Sequence, residues 1–141
     1  IAKINSFVLV GLKGVNVDVE VDVNNGLPAL DIVGLPDTSV KESKERIRSA
    51  IKNSGREVPT RKITVNLAPA DVKKEGSYLD LAISIGILNA TNQLVADFNE
   101  YVLLGELSLD GTLRRINGIL PALISAREVG YKKFIIPKWG T

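Results

Sequence analysis

The sequence predicts a mixed α/β fold, in which a sheet that contains hairpins packs against three helices. Val15–Val23 alternates five valines with four polar residues, which is the period-two pattern of a half-buried strand. Tyr78–Ala90 is apolar nearly all round, which is typical of a central, buried helix. Asp110-Gly111 separates two apolar runs and is a strong hairpin signal, so the sheet cannot be all parallel.

The first half of the chain predicts three strands followed by a helix. The strands are Lys3–Val10, Val15–Val23 and Ala29–Val33, with a turn at Asn24–Gly26 before the third. The helix begins at residues 36–38, with Asp37 or Thr38 as its N-cap, and ends at Gly55. Its buried stripe is predicted to comprise Val40, Ile47, Ala50 and Ile51.

The second half predicts a strand, the buried helix, a hairpin, a third helix and a short last strand. Arg61–Leu67 is the strand that precedes the buried helix Tyr78–Ala90. The remaining segments are the hairpin Tyr101–Leu109 and Thr112–Ile116, the helix Gly118–Val129 with Pro121 in its first turn, and the strand Lys133–Pro137. No repeat or low-complexity linker interrupts the order, so we expect one domain over residues 1–141.

The composition excludes several kinds of site. The 141 residues include no cysteine and no histidine, which removes thiolate and imidazole metal ligands, cysteine nucleophiles and the Ser-His-Asp triad. None of the twelve glycines is followed by lysine, so the GKS/T end of a phosphate-binding P-loop is absent. With no apolar run of membrane-spanning length and no signal peptide, we expect a cytoplasmic location without membrane contact.

Four cations share one face of the first helix. At 100° per residue Lys41, Lys44, Arg48 and Lys52 fall within an arc of about 80°. From Lys41 to Lys62 the chain carries eight basic and three acidic residues, a net charge of +5 within a chain whose formal net charge is +2. Such a patch can neutralise phosphates, and Arg61 and Lys62 flank it. The other interpretation is a solvated helix face whose cations pair with Glu45 or other neighbouring acids.

Asp18, Glu20 and Asp22 form an acidic row along one strand face. They could hold a cation or dock against a basic surface, but neighbouring carboxylates on a straight strand lie about 7 Å apart and do not converge on an ion. A solvated strand face is the simpler interpretation. Ser77, at the start of the buried helix, is the only plausible serine nucleophile, and an N-cap hydroxyl explains it more simply. Asp80 follows in the first turn, where a carboxylate stabilises the helix dipole.

Three long stretches resemble the N-terminal domain of the magnesium-chelatase-like AAA+ ATPases, the ComM/YifB family. They are NGLPALDIVGLPDTSVKESKERIRSAIKNSG, ITVNLAPADVKKEGSYLDLAISIGIL and LLGELSLDGTLRRINGILPALISAREVG. The likeness covers nearly the whole chain in order. Asp80-Leu81-Ala82 departs from the family's usual DLP, which is a change inside a helix.

The resemblance implies a ribosomal protein S5 domain 2-like fold and an ATPase module outside this chain. ATP and magnesium are then expected only in that module, with no cofactor and no metal in this domain. The family implies a hexameric full-length protein and, in its ComM branch, DNA branch migration during natural transformation. The expected partners are DNA, the chain's own AAA+ module and neighbouring subunits.

The same fold resembles the Lon protease catalytic domain and the C-terminal domain of RadA-type proteins. When the Lon motif is laid on residues 74–78, the nucleophile position falls on Tyr78 and the partner lysine on Ala122. A one-residue slip would restore Ser77, but no lysine occurs between Thr112 and Tyr131. The resemblance therefore implies a non-proteolytic relative that has lost the Ser-Lys dyad.

Three functional hypotheses follow. In the first, a non-catalytic accessory domain contacts DNA phosphates without base specificity. The residues expected to do so are Lys41, Lys44, Arg48, Lys52, Arg61 and Lys62. In the second, a protein–protein module packs against a neighbouring subunit or its own ATPase through the basic helix or the acidic strand. A Lon-like hydrolase is a third and weaker alternative.

Overall fold

The computed structural model describes residues 1–74, 76–114 and 119–136, with only the backbone of residues 76 and 77. The strands and helices within these ranges follow the predicted order. They are β1 Ala2–Val10, β2 Lys13–Asn24, β3 Ala29–Val33, α1 Asp37–Asn53, β4 Lys62–Ala68, α2 Asp80–Ala90, β5 Tyr101–Leu103, β6 Glu106–Leu107, β7 Leu113–Arg114, α3 Ile119–Glu128 and β8 Lys133–Ile135.

Six strands form a mixed sheet in the order β3-β4-β2-β1-β5-β8. The antiparallel pairs are β1 with β2 and β2 with β4, whereas β3–β4, β1–β5 and β5–β8 are parallel. The predicted mixed α/β architecture with three helices is confirmed. The hairpin at Asp110-Gly111 is also confirmed, but β6 and β7 form a small sheet of their own.

The alternation of β2 sorts its side chains between two faces of the sheet. The helices α1 and α2 cover the valine face, where Gly86 of α2 lies so close to β2 that an added Cβ would be 2.7 Å from Val21 Cγ2. The helix α3 lies on the opposite face, where a Cβ at Gly14 would be 2.8 Å from Ser125 Cβ. The larger core cluster lies under α1 and α2, and the smaller one joins Phe7 to α3.

The predicted side-chain N-cap of α1 is wrong. The helix begins at Asp37 directly after Pro36, and neither Asp37 nor Thr38 caps it with a side chain. Pro36, with φ −58°, supplies the turn, and its carbonyl accepts a hydrogen bond from the Ser39 N–H at 2.9 Å. A proline has the φ that a helix start needs, so the backbone alone initiates α1.

The predicted strand Tyr101–Leu109 is divided into β5 and β6. After β5 the backbone N–H of Gly105 donates to the Tyr78 carbonyl at 3.1 Å, and the Leu81 N–H donates to the Gly105 carbonyl at 3.0 Å. Where the chain leaves the main sheet, the Gly105 carbonyl therefore accepts the Leu81 N–H, which has no acceptor within the first turn of α2. In the same region the buried helix is predicted to begin at Tyr78, but Gly76–Leu79 form a 3₁₀ turn. The α-helix α2 begins at Asp80.

Three further predicted boundaries extend past the described residues. The end of the hairpin at Ile116, the start of the third helix at Gly118 and the end of the last strand at Pro137 lie outside them. The described parts of these three elements have the predicted type.

Candidate nucleic-acid interface

The helix α1 presents two different faces because its apolar residues recur at helical spacing. Ile47, Ala50 and Ile51 are buried in the larger core cluster, as predicted, whereas Val40 is only half-buried. Ser43 completes the buried side. The opposite side of the helix is therefore left to solvent.

The four predicted cations Lys41, Lys44, Arg48 and Lys52, hereafter the basic row, lie on that outer side. Three of them are exposed and Lys44 is half-buried. The last three follow one another at intervals of four residues, or about 6 Å along the helix axis. Within the described part of the chain the ion pairs are Lys3–Asp18, Arg46–Asp80 and Lys133–Glu100, so the basic row is unpaired. The interpretation that Glu45 pairs with these cations has no support in this geometry.

The two flanking cations are placed differently from the basic row. Arg61 is exposed and precedes β4. Lys62 begins β4, in which Ile63, two positions before Val65, points to the helices. Alternation along the strand therefore directs Lys62 to the opposite side of the sheet. The structure does not bring Lys62 together with the basic row.

The side of β2, β3 and β4 that faces away from α1 and α2 carries the acidic residues. Asp18, Glu20 and Asp22 alternate along β2 with its buried valines. Asp22 and Asp31 both have Thr64 of β4 as their register partner, so they flank it on either side. We refer to Asp18, Glu20, Asp22 and Asp31 as the acidic face.

The acidic face is partly open to solvent, and α3 lies on the same side of the sheet at the Gly14 end of β2. Asp22 and Asp31 are exposed and Glu20 is half-buried. Asp18 lies 3.7 Å from Lys3 Nζ across the β1–β2 pair. Among the described residues no group of three or more acidic, histidine or cysteine side chains is arranged to hold a metal ion. In a single copy of the chain the acidic face is a partly solvated strand surface.

A buried ion pair fixes the inner side of α1. The Arg46 guanidinium donates from Nε to Asp80 Oδ2 at 2.7 Å and from Nη2 to Asp80 Oδ1 at 3.2 Å. Asp80 Oδ2 also accepts the backbone N–H of Leu107 at 3.2 Å. The Asp80 side chain is fully buried and that of Arg46 is 19% exposed. This pair ties α1, the first turn of α2 and β6 together.

The two partners respond differently to their contact. The hydrogen bond to Asp80 raises the pKa of Arg46 above its ordinary value. Burial lowers the pKa of Arg46, but its effect is the smaller one. At Asp80 burial is the larger influence and raises the pKa of the carboxyl, although Arg46 and the Leu107 N–H favour its ionised form. Burial thus penalises the carboxylate, and the bidentate contact offsets part of that penalty.

Lys74 is a second buried charge, and none of the ion pairs among the described residues includes it. It is fully buried, and its Nζ donates to the carbonyl oxygens of Pro69 and Val72, the latter at 2.9 Å. Burial lowers the pKa of Lys74 below its ordinary value, with Asp71 acting in the opposite direction. These two hydrogen bonds hold the loop after β4 around the ammonium group of Lys74.

Sequence reasoning missed the role of Asp80. It placed the carboxylate in the first helical turn, which is correct, but explained it by the helix dipole alone. Asp80 is the only charge in the run Tyr78–Ala90, and a lone charge on a buried helix needs a partner. The sequence therefore indicates that Asp80 has a partner, but it does not identify that partner as Arg46, which lies 34 residues earlier. For Ser77, the side chain lies outside the described residues, and the residue that precedes α2 is Leu79.

Comparison with known proteins relates almost the whole chain to one family. Residues 19–139 match the family described as subunit ChlI of Mg-chelatase. The chain is 49% identical over 129 residues to the uncharacterized protein YifB of Escherichia coli, which covers 91% of this chain and 25% of YifB. It is 43% identical over 129 residues to the competence protein ComM of Haemophilus influenzae, with the same two shares covered. The chain therefore spans about a quarter of the length of these relatives.

A weaker likeness connects the chain to a protease. Lon protease 2 of Bacillus subtilis is 30% identical over 97 residues, which covers 69% of this chain and 17% of the protease. This likeness agrees with the fold expected from the sequence. None of the helices in the described ranges combines the length and apolarity that crossing a bilayer requires.

Proposed function

The chain belongs to the Mg-chelatase ChlI family, together with YifB and ComM, and from this premise we propose that it is a non-catalytic domain of a ComM-like AAA+ protein that contacts the DNA backbone through α1. The observation that carries the proposal is the basic row, which is exposed and unpaired among the described residues. Four cations on one helix face are suited to successive phosphates of a nucleic acid.

The chemistry of the basic row favours backbone contact without base recognition. Lysine and arginine side chains on this face reach phosphate oxygens, which set position but carry no sequence information. No aromatic residue occurs between Lys41 and Lys62, so base stacking has no platform there. Arg61 is a secondary contact, and Lys62 contributes only if the nucleic acid passes around the edge of the sheet.

The absence of catalysis from this domain is supported by the positions that correspond to the Lon dyad. Tyr78 packs against the small core cluster that contains Ala122, so the two positions belong to the same part of the structure. A phenol and a methyl group stand where the resemblance places the nucleophile and its lysine. In this proposal the ATP and magnesium of the full-length protein belong to the ATPase module.

The proposed role of the whole protein follows that of the ComM branch. A cytoplasmic, hexameric AAA+ motor would drive DNA branch migration during natural transformation, and the domain over residues 1–141 would hold the DNA while the motor acts. The family places the chain with the competence protein ComM, and the basic row supplies a surface for the DNA.

The test is binding of this chain to labelled single-stranded and branched DNA across a salt series. The row variant changes Lys41, Lys44, Arg48 and Lys52 to glutamine. The matched control removes the same charge from four exposed cations elsewhere, Lys13, Lys73, Arg127 and Lys132. On duplex arms we expect the row variant to reduce the slope of log K against log salt by about 3 to 4, because each phosphate contact contributes about 0.9.

Each outcome of that experiment is decisive. Retention of binding and slope by the control, with loss in the row variant, supports contact through α1. Equal losses in both variants would show that net charge, not the basic row, attracts DNA. No binding by the unchanged protein at low salt would reject the proposal that this domain holds DNA by itself.

A further inference from the structure

We propose that the acidic face of one copy of this chain docks on the basic row of the next copy, head to tail. The first observation is that, apart from the Lys3–Asp18 pair, neither surface has an ion-pair partner among the described residues. The basic row makes no ion pair among the described residues, and in the acidic face only Asp18 makes one. Both surfaces are solvent-facing in a single copy.

The second observation is the match in sign and spacing. On the acidic face four carboxylates lie beside Lys3 and Lys62, a net charge of −2 (two basic minus four acidic). Asp18, Glu20 and Asp22 succeed one another about 7 Å apart along β2, over about 14 Å. Lys44, Arg48 and Lys52 succeed one another about 6 Å apart, over about 12 Å. A helix laid along β2 would therefore bring three cations within reach of three carboxylates.

The third observation is that the two surfaces lie on opposite sides of the sheet. The valine face of β2 is covered by α1 and α2, whereas the acidic residues alternate to the other side. Contact between the two within one copy is geometrically excluded. Contact between copies uses different patches on the two partners, so it is heterologous and leaves one free surface at each end. Such contacts close into a ring or continue as a filament.

A second copy is the occupant that these observations favour, since one chain carries both halves of the complementary pair. The inference does not rest on DNA binding, but it involves the same helix. The neighbouring acidic face and the phosphate backbone are both anionic partners of the basic row, and they would compete for it. Both interactions weaken as salt rises, because screening acts on exposed charges in each case.

The test is sedimentation velocity of the 15.2 kDa chain in the absence of DNA, at low and high salt. The face variant carries Asp18→Asn, Glu20→Gln, Asp22→Asn and Asp31→Asn, and it is compared with the row variant defined above. A matched control neutralises four exposed acids elsewhere, Asp37, Asp71, Asp97 and Glu128. We expect the unchanged protein and this control to associate at low salt, and each of the two variants alone to sediment as a single chain.

Mixing the two variants gives the sharpest readout. The face variant keeps its basic row and the row variant keeps its acidic face, so an equimolar mixture can form one contact and no more. We expect a species of about twice 15.2 kDa that does not grow further with concentration. Failure of the mixture to associate, or a single-chain mass for the unchanged protein at low salt, would overturn the inference.

The DNA measurement separates this inference from the proposed function. The face variant has an intact basic row and is expected to bind DNA at least as tightly as the unchanged protein. Association without DNA binding would reject only the proposed function, and DNA binding without association would reject only the head-to-tail contact.

Discussion

The two faces of α1 carry the same kind of charge in opposite settings. On the inner face Arg46 is largely buried and is held by Asp80 in a bidentate contact. On the outer face the basic row is solvent-facing and unpaired among the described residues. Water stabilises the charges of the outer cations, whereas the Asp80 carboxylate stabilises the charge of Arg46.

The difference shows which charges of this helix belong to the fold and which are available for binding. An exposed cation can be removed without leaving a group unsatisfied, so its presence on the surface is not required for folding. A buried cation whose partner is removed becomes an uncompensated charge in an apolar setting. Substitutions on the two faces of α1 should therefore affect different measurements.

The largest expected effect comes from breaking the inner pair. We expect Asp80→Asn to lower the free energy of unfolding by about 3 kcal/mol, because Arg46 keeps its charge in a largely buried site. Urea denaturation at neutral pH measures the change. The amide oxygen of the new side chain can still accept the Leu107 N–H, so the loss reports mainly on the ion pair.

The double variant Arg46→Met/Asp80→Asn is the control for that prediction. It removes the stranded cation, and we expect it to recover most of the lost stability. If the double variant is no more stable than Asp80→Asn alone, the cost arises from packing around Asp80 and not from the unpaired charge.

A second buried cation, Lys74, extends the comparison to a site in which backbone carbonyl oxygens accept its hydrogen bonds. We expect Lys74→Met to cost about 1 to 3 kcal/mol at neutral pH, since the carbonyls of Pro69 and Val72 lose their shared donor. Burial lowers the pKa of Lys74 in the folded chain, so the unfolded chain retains the proton to higher pH. The stability of the unchanged protein relative to the variant should therefore rise with pH, from the lowered pKa up to the ordinary value of 10.5.

Urea denaturation of both proteins between neutral pH and pH 10 tests this dependence. Groups other than Lys74 titrate alike in the two proteins, so their contributions cancel in the difference. A stability difference that stays constant with pH would mean that Lys74 keeps its proton in the folded chain throughout that range.

The smallest expected effect is on the outer face. The row variant should change the free energy of unfolding by less than about 0.5 kcal/mol, because the basic row makes no ion pair among the described residues and substitutions at such surface positions usually have effects of that size. Thermal and urea unfolding of the row variant and its charge-matched control measure this. A loss comparable to that of Asp80→Asn would show that the basic row supports the fold, and its effect on DNA binding could then not be attributed to lost contacts.

Much of the fold could be predicted because the relevant patterns are local. The alternation of β2 and the apolar stripe of α1 each depend on residues within one element, and both were identified from the sequence. The same reasoning could have placed Lys62 correctly. It alternates with Ile63, Val65 and Leu67, which marks it as a residue of the open face, yet it was grouped with the basic row because it is close in sequence.

The features that could not be predicted depend on contacts distant in sequence. Asp80 and Arg46 are 34 residues apart, and no local pattern connects them. The interruption between β5 and β6 arises because Gly105 pairs with Tyr78 and Leu81, which follows from how the 3₁₀ turn and α2 are packed. The basic row was identified from helical spacing. That it makes no ion pair with any described residue could be seen only once Glu45 and its other neighbours were placed.

The placement of the basic row and the acidic face on opposite sides of one sheet contributes a component along the sheet normal to the electric dipole of the molecule. In the field of a polyanion such a dipole experiences a torque before any contact forms. The molecule would turn α1 toward the polyanion and the carboxylates away, which restricts the orientations in which collisions occur. An open sheet face that makes no contact with the ligand would thus still influence how fast, and which way round, the ligand is met.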